Sequence, residues 1–80
     1  MSGILLKRVD AHIDTGTKVS MKLKFERDTG RRFVVLDIAM AGGGATRVYE
    51  VDEFLELTGK LSLALNDMRT AILSPAQETS

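Results

Sequence analysis

Between Lys18 and Phe25 the chain alternates without a break: Val19, Met21, Leu23 and Phe25 are apolar, and Lys18, Ser20, Lys22 and Lys24 are polar. Period-two alternation marks a strand with one buried and one solvated face. A weaker form of the pattern runs from roughly Ile4 to Ile13, where Val9, Ala11 and Ile13 alternate with Arg8, Asp10 and His12. Downstream, RFVVLDIAM is the dense aliphatic run expected of a central strand buried on both sides, and TRVYEV reads as a short fourth strand. Turn chemistry separates these runs. It lies in DTGT (14–17), where Gly16 is free to take positive φ, in RDTG (27–30) and in AGGGA (41–45).

The period then becomes helical. Phe54, Leu57, Leu61, Ala64, Leu65, Met68 and Ile72 recur at intervals that fit one stripe, with Asp52 as N-cap and Glu53 in the first turn. Gly59 weakens this helix by roughly 1 kcal/mol relative to alanine, and Pro75 ends it. The expected fold is α+β: a four-stranded antiparallel sheet followed by one C-terminal helix (ββββα). It forms one domain over 1–73, with a polar, disordered tail over 74–80. A single helix covers one sheet face and leaves the sheet edges open. Leu55 and Leu63 fall off the main stripe, so a homodimer that buries them, through the helix, the sheet edge or both, is expected.

Composition narrows the chemistry. The 80 residues include no cysteine and one histidine, so neither a disulfide nor a zinc site is expected, and no cofactor is implied. The opening MSGILL is broken by Lys7 and Arg8 before it is long enough for a signal or a membrane span, which favours a cytoplasmic setting. Eleven basic and eleven acidic residues cancel. Nine of the basic residues against five acids lie in 1–47, however, and two against six follow, so a positive surface can form locally.

An enzyme is not expected. His12 stands alone, and Asp10, Asp14, Asp28 and Asp37 are spread over strands and turns without the pairing that acid–base work needs. AGGGA leads into a strand, whereas a phosphate-binding loop opens a helix and brings a lysine.

The strongest signal is the basic row of Lys18, Lys22 and Lys24. Arg31 and Arg32 adjoin it at the turn, Arg8 is a candidate from the first strand, and Arg47 follows the Gly-rich turn. If the third strand buries Val34, Leu36 and Ile38 under the helix, Phe33 and Val35 emerge among the lysines. Cations beside an available ring suit single-stranded nucleic acid, which is held by its phosphates and stacks its bases at roughly 1–3 kcal/mol each. The alternative is a small protein-interaction or inhibitor module, for example phage-encoded, that binds a protein partner through a sheet edge or the acidic helix.

With LKRVDAHI in strand one, GRRFVVLDIA after a basic hairpin turn, GGGATRV before strand four and a long amphipathic helix, the chain resembles a single PUR repeat. That family, typified by Pur-alpha, shares its layout with Whirly-type single-strand-binding folds. The likeness spans about Leu5 to Ile72. It implies repeats that work in pairs, helix against helix, and binding of single-stranded DNA or RNA in nucleic-acid metabolism or transcriptional control. On this resemblance Lys7 and Arg8 match the KR of the first strand, Arg32 and Phe33 the R-F after the hairpin, and Gly42 to Gly44 the Gly turn. Val35 stands where the family tends to carry a lysine, and Asp37 adds an acid.

Overall fold

A computed structural model describes residues 3–74. Four strands, β1 (Ile4–Asp14), β2 (Thr17–Glu26), β3 (Arg31–Met40) and β4 (Gly43–Glu50), form an antiparallel meander in the order β1-β2-β3-β4. One helix, α1 (Val51–Leu73), follows. The ββββα architecture is therefore the one the pattern predicts. The polar tail from Pro75 onward lies outside the described residues, and Ser74 is the extended residue that ends α1.

The turns differ in detail from their expected chemistry. At Thr15–Gly16 the Asp14 carboxylate accepts a hydrogen bond from the Gly16 N–H at 2.9 Å. This Asx-type contact makes the turn, and Gly16 has no positive φ. In the next hairpin Gly30 does need its freedom: its φ is 71°, and its N–H donates to the Glu26 carbonyl at 2.8 Å. The Gly-rich turn is shorter than expected, because Gly43 and Gly44 already pair with Met40 and Ala39. A Cβ at Gly44 would come within 2.3 Å of the Ile38 carbonyl oxygen, so only glycine lets the two strands approach there.

The helix starts one residue before its expected cap. Glu50 is the N-cap and Val51 the first helical residue, so Asp52 sits in the first turn. The Glu53 carboxylate accepts from the Glu50 N–H at 3.0 Å, as in a capping box. No residue separates β4 from α1.

Packing is sparse. Val34, 7% exposed, is the one buried apolar side chain among the described residues, and α1 buries none. β3 is therefore not enclosed on both faces: Val35, Leu36 and Ile38 are only half-buried. The helix touches β3 and β4 through its first turns, where Val51, Phe54 and Leu57 are half-buried, and every residue from Thr58 to Ser74 is exposed. The radius of gyration is 16.8 Å, against about 12 Å for a compact chain of this length.

Candidate nucleic-acid interface

Strand register sorts the side chains into two faces. On one, four rows cross the sheet from β1 to β4: Leu5–Lys24–Phe33–Glu50, Arg8–Lys22–Val35–Val48, Asp10–Ser20–Asp37–Thr46 and His12–Lys18–Ala39–Gly44. On the other, Lys7–Leu23–Val34–Tyr49 and Val9–Met21–Leu36–Arg47 cross in the same way. Val51, Phe54 and Leu55 line one hollow together with Val9, Met21 and Leu23, so the foot of the helix lies on this second, apolar face. The lysine face points away from it.

The predicted cations divide accordingly. Arg8, Lys18, Lys22, Lys24 and Arg31 share the open face with Phe33. Lys7, Arg32 and Arg47 do not join them. They pair in register with Leu23, Phe25 and Leu36, because neighbouring residues in a strand point to opposite faces. Arg47 instead sits 5.8 Å from the centroid of the Tyr49 ring, which meets Phe54 at 6.1 Å.

Acids temper the open face. Arg8 is held by Asp10 at 3.0 Å. Arg31 is held by Glu50 at 2.7 Å and Glu26 at 3.5 Å, and its guanidinium carbon lies 4.9 Å from the Phe33 ring centroid. The Glu26–Arg31 pairing follows from the hairpin register, and a four-residue turn at 27–30 signals it; the Glu50 contact depends on how β4 pairs with β3. Hydrogen bonding to Glu50, reinforced by Glu26, raises the Arg31 pKa further. The Ser20 hydroxyl and then the Arg8 guanidinium hold the Asp10 carboxyl below its ordinary value of 3.8. Asp37 accepts a hydrogen bond from the Thr46 hydroxyl.

Lys18, Lys22 and Lys24 enter no ion pair among the described residues. Around Lys22 and Lys24 lie Phe33, Val35 and Val48, and Val48 is 55% exposed. The arrangement offers three point charges beside a partly apolar floor, crossed by one acidic row. Nor do the described residues gather three histidine or carboxylate side chains in a cluster able to hold a metal ion. Of the two leucines expected at a dimer seam, Leu55 lines the hollow at the helix foot, and Leu63 stands 68% exposed further along. Neither a family model nor a curated protein nor a solved structure matches the chain.

Proposed function

We propose that the protein binds single-stranded DNA or RNA across the lysine face and acts as a homodimer. The observation that carries this reading is the row of Lys18, Lys22 and Lys24, none in an ion pair among the described residues, with Phe33, Val35 and Val48 around the last two. Lysines held in no ion pair are available to phosphate, and the apolar floor gives bases a surface on which to leave water. The resemblance to a PUR repeat points the same way. No catalytic role is assigned to any residue.

Fluorescence anisotropy with labelled oligonucleotides tests the reading. Single strands should bind at low salt, with affinity falling linearly on a log–log salt plot. Replacing Lys22 and Lys24 together by alanine should flatten that slope by about 1.4, at roughly 0.7 per phosphate contact on a single strand. Absence of binding to any single strand at low salt would end the proposal.

One observation favours a second reading. β4 is an outer strand with no register shift, and strand addition by a protein partner needs such an edge. A stoichiometric partner retained after nuclease treatment would support it.

A further inference from the structure

Two apolar surfaces face no partner among the described residues. The first is the helix-side face of the sheet beyond the foot of α1, where Val9, Met21 and Leu23 border an open hollow of about 390 Å³. The second is the distal stripe of α1, made by Leu61, Leu65, Met68 and Ile72, all exposed. They complement each other in chemistry, yet the chain cannot bring them together. β4 runs into α1 with no intervening residue, and the Glu53–Glu50 contact fixes the junction. At 1.5 Å per residue the 23-residue helix is about 34 Å long. Only its first turns lie on its own sheet.

We infer that the distal half of α1 seats on the apolar sheet face of a second copy, whose helix returns the contact. Each copy then supplies what the other lacks, in the self-complementary manner of a two-fold dimer. The exposed area supports a second copy as the occupant. A folded monomer of 8.8 kDa exposes about 4,800 Å², whereas this chain exposes 6181 Å². The excess exceeds the roughly 800 Å² that each partner gives to a standard interface, with a margin for the chain ends. Because Val34 is the one buried apolar side chain among the described residues, the hydrophobic core forms only on association. Folding and pairing are then one event. The inference rests on the homodimer of the proposed function and not on its nucleic-acid binding, which the oligonucleotide titration tests separately.

The chain has no cysteine, so introduced ones report contacts cleanly. Copies carrying Met21→Cys and copies carrying Met68→Cys are refolded together and treated with a short bis-maleimide. A cross-linked species containing one of each is expected. Cross-links confined to Met68→Cys pairs would mean helix–helix pairing alone and would overturn the proposal. The unmodified protein should sediment at twice its chain mass, and its denaturation midpoint should fall with each tenfold dilution. A folded monomer with a concentration-independent midpoint would also overturn it.

Discussion

Arg31 is the side chain on the open face with the most specific geometry. Two carboxylates hold it, and its guanidinium lies 4.9 Å from the Phe33 centroid, which leaves a planar cation presented on a ring. Bases stack on guanidinium planes as they do on aromatic rings. Arg31→Lys keeps the charge and loses the plane, so single-strand affinity should drop on the order of tenfold while the salt slope stays unchanged, as anisotropy titrations at several salt concentrations would reveal. A changed slope would make Arg31 an ordinary phosphate contact. Asp10 works in the opposite sense. Asp10→Asn releases Arg8 and removes a negative charge from the face, so binding should tighten and the salt slope steepen by up to about 0.7. The same carboxyl links stability to pH. Its folded pKa lies below 3.8, so its contribution is present above that value and is lost as pH falls through the folded pKa. Acid denaturation should therefore show a small loss below pH 3.8 that the Asp10→Asn variant lacks.

Among the elements, α1 passes through Gly59 without a break, and a Cβ there would meet nothing within 4 Å. Gly59→Ala should raise stability by about 1 kcal/mol in denaturant titrations. A loss instead would mean that another chain packs closely against that position. The strands could be read from the sequence because β2 alternates so regularly that its partners have little freedom of register. β4 could not be bounded, since Gly43 and Gly44 pair through their backbones and leave no side-chain pattern to read. The start of α1 was obscured for a related reason: Glu50 ends one element and caps the next. β1 conceals its phase as well. Its register shifts between Leu5 and Lys7, and again between His12 and Asp14, so Leu5 shares a face with Arg8 and Lys7 goes to the other. Such bulges twist an outer strand and discourage edge-to-edge association. Nothing in the residues around Leu6 announces the first of them. The lysine row was evident from spacing alone, and Asp10 stands two residues from Arg8 on the same strand, but the Glu50 carboxylate that occupies Arg31 emerges only once β3 and β4 are paired.

For the whole molecule, the reciprocal pairing makes opposite predictions for two neighbouring leucines, Leu63 and Leu65. At 100° per residue Leu63 lies 200° around the helix from Leu65, and so on the far side from the distal stripe. Leu65→Lys should abolish the dimer, together with the strand signal in far-UV circular dichroism, because it places an unpaired charge in the shared core. Leu63→Lys should sediment as the wild type does, unlike the outcome expected if that leucine formed the seam. A further consequence follows from the reach of α1 beyond its own sheet. A chain ending near Lys60 would keep a complete sheet and accept the helix of a full-length neighbour, yet have no stripe to return. Such a fragment would behave as a terminator: each copy would occupy one intact chain in a lopsided complex with one sheet face left bare. Made alongside the full-length protein, it should act as a dominant poison of assembly at near-equal dose, although every residue of its own sheet is unaltered.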